Sequence, residues 1–230
     1  MFLSVVIPFY NEDKVATDVI KEHLGQLQIL SSRIEGWELV CLDDASMDST
    51  WQILTAAAEV NPRVRLIRNE VNQGIVASFG RLFRESQGTY IYMTGGDGQW
   101  PAENLLALYQ QWEKTRADLI IGVRRKRHVV YSLWRTILSY GFNMLAWLVT
   151  GINGRDVNGI KLGRREVFTV PVKSRSFFVE IERLKKALAN GYRISQAPVT
   201  FRPRAQGKAK GAKLGNITAT LKDMIKYGYR

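Results

Sequence analysis

A short stretch near the middle of the chain combines the residue types of a metal site on a phosphate. The apolar run YIYM at residues 90–93 is typical of a buried strand, and TGGDGQWP follows at residues 94–101. Asp97 and Gln99 carry hard oxygen ligands two residues apart, which suit Mg²⁺ or Mn²⁺ on a substrate phosphate. The glycines around Asp97 allow a ligand to approach the backbone closely. A simple Gly-Asp-Gly turn is the alternative interpretation.

The elements that must position these residues alternate along the chain. The sequence predicts strands at 4–8, 37–42, 64–67, 90–93, 118–123 and 193–201, and helices at 14–30, from 48 onward, and at 75–84, 101–115, 177–188 and 216–227. This alternation predicts an α/β fold, with a doubly wound, mostly parallel sheet flanked by helices. Ligands of such sheets bind beyond the carboxyl ends of the strands.

Each predicted strand before residue 124 ends in a polar loop. The loops contain Tyr10, Asn11, Glu12, Asp43, Asp44, Asn72, Gln73, Gly74, Asp97, Gln99 and Arg124. Because these loops meet at one edge of the sheet, they favour a binding site over a mere turn at Asp97. The sequence has neither the G-x-G-x-x-G of dinucleotide-binding units after its first strand nor a phosphate loop ending in Gly-Lys-Ser/Thr. A bound nucleotide would therefore depend on carboxylates and metal.

Composition narrows the class of protein. With 230 residues, of which 46% are hydrophobic and 23% charged, the chain resembles an ordinary soluble domain. A single cysteine, Cys41, excludes an internal disulfide and a cysteine-rich metal site. His23 and His128 lack metal-ligand spacing and are expected on the surface. No basic leader precedes the first strand, so the sequence predicts a reducing, cytosolic compartment.

Charge is distributed unevenly between the two parts of the chain. Residues 1–100 hold 8 Lys/Arg and 13 Asp/Glu, whereas residues 101–230 hold 25 and 8. The basic part predicts a polyanionic partner, which could be nucleic acid, anionic lipid or a phosphorylated ligand. The basic loop at 202–213 contains none of the aromatic residues that single-strand nucleic-acid binding requires. No nucleic-acid partner is therefore expected.

An uncharged, apolar segment at 136–154 follows a basic cluster at 124–127. A membrane-spanning helix needs about 20 predominantly apolar residues, and this segment includes Ser139, Asn143 and Thr150. The sequence therefore predicts a helix at 131–152 that lies in the membrane interface beside anionic lipid. A helix in the core of the protein is the alternative.

Four ordered motifs resemble those of the family 2 glycosyltransferases, which have the GT-A fold. They are VVIPFYNE at 5–12, DDASMDST at 43–50, NQG at 72–74 and GGDGQWP at 95–101. Within the family, the chain resembles polyprenyl- or dolichyl-phosphate mannose or glucose synthases, whose metal motif reads Asp-x-Asp-x-Gln. Their later motifs are matched by GVR at 122–124, DVNG at 156–159 and FRPRAQGKAK at 201–210. The resemblance covers nearly the whole chain.

The resemblance assigns roles to individual residues. A GDP- or UDP-sugar would be bound by Pro8, Tyr10, Glu12, Asp43, Asp44, Gly74 and Gly96. Asp97 and Gln99 would bind the metal, and Arg124, Arg204 and Lys210 would bind the acceptor or its phosphate. Asp97, Asp156 and Arg124 would be catalytic. The alternatives are helix capping for Asp43 and Asp44, a solvated loop position for Glu12 and a turn carboxylate at Asp156.

Two positions depart from the family pattern. Gly95 stands where the metal motif has its first aspartate, and Ala209 stands where the basic loop has a serine. A missing carboxylate predicts weaker metal binding, because cation affinity depends on the charge and number of ligands. We expect Gly95 to weaken the metal site rather than abolish it.

The resemblance implies an inverting, metal-assisted transfer of a sugar from a nucleotide-sugar to a polyprenyl phosphate, by a peripheral protein at the cytoplasmic face of a membrane. A lipid phosphate is already anionic and needs no strong base, whereas a hydroxyl acceptor would need one, for which Asp156 is the candidate. Transfer to a glycan hydroxyl is one alternative. A non-catalytic nucleotide-sugar-binding relative is another, and it would explain Gly95 and Ala209.

The motifs also divide the chain. Residues 1–200 are expected to form the GT-A domain, with a nucleotide-sugar-binding half at 1–123 and an acceptor half at 124–200. Residues 201–230 are expected to add a basic loop and a short terminal helix to the same domain.

Overall fold

The computed structural model describes residues 1–124, 156–203 and 214–227, and between the first two ranges it describes Gly141, Met144, Trp147 and Leu148, which are helical. Apart from those four residues, the predicted interfacial helix at 131–152 lies outside the described residues. So do Arg204 and Lys210 of the predicted basic loop.

The described residues form a seven-stranded sheet with helices on both faces. The strands are β1 Phe2–Phe9, β2 Gly36–Asp43, β3 Val64–Arg68, β4 Tyr90–Met93, β5 Leu119–Arg124, β6 Lys161–Arg164 and β7 Ile194–Val199. The helices are α1 Asp13–Leu30, α2 Thr50–Val60, α3 Ile75–Glu85, α4 Asn104–Thr115, α5 Arg165–Thr169, α6 Val179–Ala189 and α7 Leu214–Tyr227.

The strand order is β3-β2-β1-β4-β6-β5-β7. Strand β1 pairs in parallel with β2 and β4, β2 with β3, and β5 with β7. Strand β6 is antiparallel to both β4 and β5, so that these two strands run in the same direction. The predicted, mostly parallel α/β sheet is therefore confirmed, and six of its strands end at the same edge, called here the carboxyl edge.

Side chains alternate between the two faces of β1 and form two cores. Leu3, Val5 and Ile7 belong to a core with α1, α2 and α4, whereas Val6 belongs to a core with α3, α5 and α6. A strand covered on both faces carries a nearly continuous apolar run, which is why the sequence located β1 and β2 well. Burial of these residues on both faces fixes the register of the strands at the carboxyl edge.

His23 is a correction to the expectation of a surface histidine. It lies on α1 and is buried, with Nδ1 donating to the carbonyl oxygen of Val19 at 2.7 Å. Burial lowers the pKa of His23, although the backbone hydrogen bond to Val19 and the carboxylates of Glu22 and Glu103 partly oppose this. The ring is therefore held neutral, and its Nε2 is buried.

No helix within the described ranges combines the length and the apolarity that crossing a membrane would need.

Candidate active site at the carboxyl edge of the sheet

The loop after β1 is bonded to the loop after β2. Asn11, which has a positive φ of 54°, donates its backbone N–H to Ser46 Oγ at 2.9 Å and accepts from the N–H of Met47 at 2.8 Å through its Oδ1. The N–H of Glu12 donates to Thr50 Oγ1 at 2.9 Å. Pro8, at the end of β1, lies beside Leu42 of β2. The predicted nucleotide-binding residues 8–12 are thus held against residues 43–50.

Asp43 is fully buried at the end of β2. Its carboxylate accepts the N–H of Ser46 at 3.3 Å and forms an ion pair with Arg68 Nε at 3.2 Å. The guanidinium of Arg68 also lies over the ring of Trp51, 4.7 Å from its centroid. The carboxylate therefore links the ends of β2 and β3, and it holds the guanidinium of Arg68 over the Trp51 ring.

Asp44 anchors the loop that follows β3. Its buried carboxylate accepts hydrogen bonds from Asn69 Nδ2 at 2.7 Å, Asn72 Nδ2 at 3.0 Å, the N–H of Gln73 at 2.8 Å and the N–H of Gly74 at 2.9 Å. Gly74 has a positive φ of 80° and directly precedes α3. Four hydrogen bonds to one carboxylate fix the whole turn from residue 69 to residue 74.

The loop after β4, residues 94–99, is called here the metal loop, and its backbone lies against β1. A Cβ added to Gly96 would lie 2.7 Å from the carbonyl oxygen of Pro8 and 2.6 Å from the Phe9 ring, so only glycine allows this approach. Gly98 has a positive φ of 69° and packs over Val15 of α1. The metal loop is therefore fixed by close packing of its backbone.

Asp97 and Gln99 lie at the tip of the metal loop. Asp97 Oδ1 accepts the N–H of Gln99 at 3.2 Å, and Gln99 Nε2 donates to the carbonyl oxygen of Arg202 at 3.4 Å. Within the described ranges no three His, Cys, Asp or Glu residues lie close enough together to hold a metal alone. An aspartate and a glutamine do fit a divalent cation that shares its ligands with a substrate diphosphate, since Mg²⁺ retains waters and phosphate oxygens in such sites.

Gly95 can accept a side chain. Its φ is not positive, and an added Cβ would lie 3.5 Å from Asp97 Oδ1 and 3.8 Å from Trp100 Cδ1, which are ordinary van der Waals distances. The backbone at residue 95 could therefore hold the aspartate of the metal motif, and glycine at this position removes only the carboxylate. It contrasts with Gly96 next to it, where a side chain has no room.

Arg124 and Asp156, which the sequence places 32 residues apart, form one buried ion pair. The carboxylate of Asp156 accepts the backbone N–H of Arg124 at 2.9 Å and Arg124 Nε at 2.9 Å, and it also accepts Nη2. Both guanidinium nitrogens donate to Oδ1 and the backbone N–H donates to Oδ2, so both oxygens of the carboxylate are engaged by Arg124 in charge-assisted hydrogen bonds. Asp156 has a positive φ of 81°, an unusual conformation for an aspartate that the surrounding contacts must stabilise.

Two aromatic rings surround the Arg124 guanidinium. Its carbon lies 5.7 Å from the centre of the Trp100 ring and 5.0 Å from the centre of the Phe201 ring. The two rings are 4.6 Å apart in an edge-on arrangement. Trp100 follows the metal loop and Phe201 follows β7, so this cluster connects the predicted metal site to the predicted acceptor half.

A buried ionic cluster, which was not predicted from the sequence, lies beside the site. Lys161, the first residue of β6, pairs with Met93 in the sheet and donates to Glu180 at 2.7 Å, and Glu180 also pairs with Arg183. Burial lowers the pKa of Lys161, whereas Arg183 and Lys161 together overcome the effect of burial on Glu180 and lower its pKa to about 2. A lysine between Ile160 and Leu162 was the available signal.

The structure thus brings the predicted residues Pro8, Tyr10, Glu12, Asp43, Asp44, Gly74, Gly96, Asp97, Gln99, Arg124 and Asp156 to the carboxyl edge. Among them, Asp43, Asp44 and Asp156 each bind other parts of the protein. The roles of all these residues toward a ligand remain predictions. Those of Arg204 and Lys210 do too, since both lie outside the described residues.

Comparison with curated proteins gives relatives that span most of this chain. A dolichyl-phosphate β-glucosyltransferase of Trichomonas vaginalis is 26% identical over 238 residues, covering 98% of this chain and 72% of that protein. A dolichol-phosphate mannosyltransferase of Pyrococcus furiosus is 28% identical, covering 91% and 59%. A dodecaprenyl-phosphate galacturonate synthase of Rhizobium johnstonii is 26% identical, covering 90% and 61%. The chain therefore spans less than two thirds of the length of the last two relatives.

Solved structures share the fold. The mannosyltransferase PcManGT of Pyrobaculum calidifontis, solved with GDP-mannose and Mn²⁺, superposes with a TM-score of 0.67 at 17% identity, covering 97% of this chain and 64% of that one. Glucosyl-3-phosphoglycerate synthase of Mycobacterium tuberculosis, solved with Mn²⁺ and UDP, gives a TM-score of 0.64 at 18% identity, covering 97% and 77%. These similarities confirm the predicted GT-A fold.

The sequence model of the glycosyl transferase family 2 matches residues 4–170, which include most of β1, all of β2 to β6 and every predicted site residue except Arg204 and Lys210. This match covers well over half of the chain and shows that the chain belongs to glycosyl transferase family 2.

Proposed function

We propose that this chain transfers a sugar from a GDP- or UDP-sugar to a polyprenyl phosphate, with inversion at the anomeric carbon and with the assistance of Mg²⁺ or Mn²⁺. The relatives named above act on dolichyl, dolichol or dodecaprenyl phosphate according to their names. The structural neighbours were solved with UDP or GDP-mannose and Mn²⁺. These similarities support the proposal for both substrates and for the metal.

The hydrogen bonding of Asp156 is the main observation in favour of a phosphate acceptor. Asp156 is the candidate base, yet its carboxylate accepts three hydrogen bonds from Arg124. A carboxylate committed to a guanidinium is poorly placed to remove a proton from a hydroxyl. A phosphate acceptor carries an anionic oxygen at neutral pH and requires no such base. The geometry therefore supports a phosphate acceptor over a glycan hydroxyl.

The residues of the carboxyl edge would act mainly by positioning. Asp43 and Asp44 hold the loops around the proposed nucleotide site in one arrangement, and Gly96 lets the metal loop lie beside Pro8. Asp97 and Gln99 would hold the cation, which when bound would stabilise negative charge on the leaving diphosphate. Arrangement of the reactants before the reaction supplies much of the catalysis in such a transfer.

A transfer assay with matched acceptors tests this proposal. The protein is incubated with GDP- and UDP-linked hexoses, Mn²⁺, and either a polyprenyl phosphate or the corresponding polyprenol. We expect product with the phosphate alone and an inverted anomeric centre, detected by mass spectrometry and NMR. Comparable transfer to the polyprenol would contradict the phosphate acceptor. No transfer to either acceptor from any nucleotide-sugar at saturating Mn²⁺ would contradict the proposed function.

We further propose that the protein binds the cytoplasmic face of a membrane, where anionic lipid is concentrated. Met144, Trp147 and Leu148 support this, because they are helical and expose 60%, 49% and 65% of their surface. Their spacing places them on one side of a helix. Basic residues at 124–127 precede them in the sequence. Apolar residues exposed on one side of a helix, with basic residues nearby in the sequence, are typical of an interfacial helix.

Vesicle flotation with a matched pair of variants tests the membrane proposal. We expect salt-sensitive binding to vesicles with anionic lipid, weaker binding to neutral vesicles, and reduced binding for Trp147→Glu. Val60→Glu is the control, because Val60 exposes 84% of its surface and ends α2 at the opposite edge of the sheet. Equal loss in both variants, or binding that ignores lipid charge, would count against this surface.

A further inference from the structure

The segment that follows β7 lies against the metal loop and the start of α4. The N–H of Arg202 donates to the carbonyl oxygen of Gln99 at 2.8 Å, and Gln99 Nε2 donates back to the carbonyl oxygen of Arg202 at 3.4 Å. One residue earlier, the Phe201 ring contacts the Trp100 ring. Residues 200–202 therefore lie alongside residues 99–104.

Asn104, the first residue of α4, fixes the beginning of this segment. Its Nδ2 donates to the carbonyl oxygen of Thr200 at 2.9 Å, and its Oδ1 accepts the N–H of Thr200 at 2.9 Å and Thr200 Oγ1 at 3.2 Å. The side chain is buried. Its amide thus pairs with both backbone groups of one residue, as a neighbouring strand would. These contacts do nothing for the helix itself, whose start has no side-chain cap.

We propose that Asn104 is a positioning residue for the metal loop. By holding Thr200, it fixes where Arg202 meets Gln99. Because a side-chain amide is planar, the hydrogen bond from Gln99 Nε2 to Arg202 determines which way Gln99 Oε1 faces. Gln99 in turn donates its N–H to Asp97. Asn104 therefore acts on both proposed metal ligands through its hydrogen bonds to Thr200.

This inference rests on the proposed metal-assisted function, and it concerns a residue that no motif of the family pattern singles out. Loss of a group that orients a metal ligand typically lowers metal affinity or activity 10- to 100-fold. We therefore expect loss of the Asn104 amide to lower cation affinity by about tenfold. This loss of affinity is expected for the cation bound together with the nucleotide diphosphate, since the protein alone offers the cation few ligands.

The chain provides a matched control on the same helix. Gln111 of α4 also bonds to β7, with Nε2 donating to Ser195 Oγ at 3.0 Å. It lies seven residues further along α4, away from the metal loop. Gln111→Ala therefore removes a similar side-chain hydrogen bond of α4, made to β7 itself and not to the segment after it, without disturbing Gln99. Comparison of the two alanine variants separates positioning of the metal loop from general packing.

The experiment measures Mn²⁺ binding without turnover. The electron paramagnetic resonance signal of free Mn²⁺ is titrated with protein in the presence of GDP or UDP, and the melting temperature of each variant is recorded. Asn104→Ala should weaken Mn²⁺ binding about tenfold, and Gln111→Ala should change it less than about twofold. Asn104→Asp keeps the oxygen that accepts from Thr200 but loses the donor, so an intermediate affinity is expected even if the alanine variant folds poorly.

Unchanged Mn²⁺ affinity in a folded Asn104→Ala or Asn104→Asp variant would overturn the inference, as would an equal loss in Gln111→Ala. Failure of the wild-type protein to bind Mn²⁺ with either nucleotide would instead overturn the proposed metal-assisted function, and this inference with it.

Discussion

The loop after β2 and the loop after β4 both carry aspartates to the carboxyl edge, but the two loops are held in different ways. At the first loop the carboxylates hold the structure, since Asp43, which ends β2, and Asp44, which follows it, are buried and bind the loops around them. In the metal loop the backbone forms the structure, through Gly96 against Pro8 and through Gln99 with Arg202. Asp97 is only half-buried there.

An aspartate in a family motif can therefore have either a structural or a chemical role at the same edge of one sheet. Burial and the number of hydrogen bonds separate the two cases. A carboxylate that accepts four protein donors, as Asp44 does, is committed to the fold. The comparison predicts that variants of the two loops will divide between loss of stability and loss of transfer.

Asp97→Asn should produce the largest change in activity. The substitution preserves shape and removes the negative charge from the proposed cation site, so we expect transfer to fall about 10²- to 10³-fold. The melting temperature should stay close to that of the wild type, because the side chain is only half-buried. Steady-state transfer and thermal unfolding measure the two effects. Transfer within threefold of wild type would remove Asp97 from the mechanism.

Asp44→Ala should show the opposite pattern, in which the main loss is in stability and not in transfer. Loss of the carboxylate removes the shared acceptor of four donors in the turn at residues 69–74, among them the buried amide of Asn69, and we expect a stability loss of at least about 2 kcal/mol. Urea unfolding measures it. Glu70→Ala is the control in the same turn, because Glu70 is exposed. A stability loss no larger than that of Glu70→Ala would show that Asp44 does not anchor the turn.

The adjacent glycines of the metal loop should respond unequally to a methyl group. Gly96→Ala places Cβ within 2.7 Å of the Pro8 carbonyl oxygen, and we expect a loss of about 1–3 kcal/mol as the backbone shifts. Gly95→Ala should change stability by less than about 0.5 kcal/mol. Equal effects would mean that the metal loop does not lie tightly against β1.

Gly95→Asp should strengthen metal binding. It restores the family carboxylate at a position with room for a side chain, 3.5 Å from Asp97 Oδ1. Because cation affinity rises with ligand charge, we expect half-maximal transfer at a several-fold lower Mn²⁺ concentration. Metal titrations of the wild type, Gly95→Ala and Gly95→Asp measure this. A carboxylate effect no different from that of alanine would show that position 95 does not reach the cation.

The smallest expected effect concerns pH. Burial lowers the folded-state pKa of His23 below its usual 6.5, so the unfolded chain binds the proton more readily. Stability from this group is present above about pH 6.5 and is lost as pH falls toward the folded-state pKa, at up to about 1.4 kcal/mol per pH unit. Urea unfolding at pH 7.5 and 5.5 should show a smaller loss in His23→Leu than in the wild type. Equal losses would show that His23 titrates normally.

Much of the fold was predictable because its signals are local. Predicted strands such as 64–67 and 90–93 and the helix at 75–84 agree with β3, β4 and α3 to within one residue, since a buried strand or an amphipathic helix repeats a simple pattern. Strand β6 was not predictable in this way. Lys161–Arg164 contains two basic residues and a glycine, and it becomes a strand only because β4 and β5 flank it and Glu180 neutralises Lys161.

The site was predictable in its residue types more than in their partners. Motif and strand position brought Asp44 and Asp156 to the correct edge. Their hydrogen bonds depend on partners up to 32 residues away, as in the pair of Arg124 with Asp156, and no local pattern encodes such distances. The buried role of Asn104 was hidden for the same reason, because its partner Thr200 is 96 residues further along the chain.

The pair of Arg124 and Asp156 has a consequence for how members of this family can diverge. The chain leaves the sheet at the end of β5 and returns just before β6, and because β6 is antiparallel both points lie at the same edge. The ion pair closes this excursion at its base. Since doubling the length of a closed loop costs only about 0.6 kcal/mol, insertions and exchanges between residues 124 and 156 need not disturb the sheet. The length of that segment can therefore change, in evolution or by design, with little cost to the stability of the sheet.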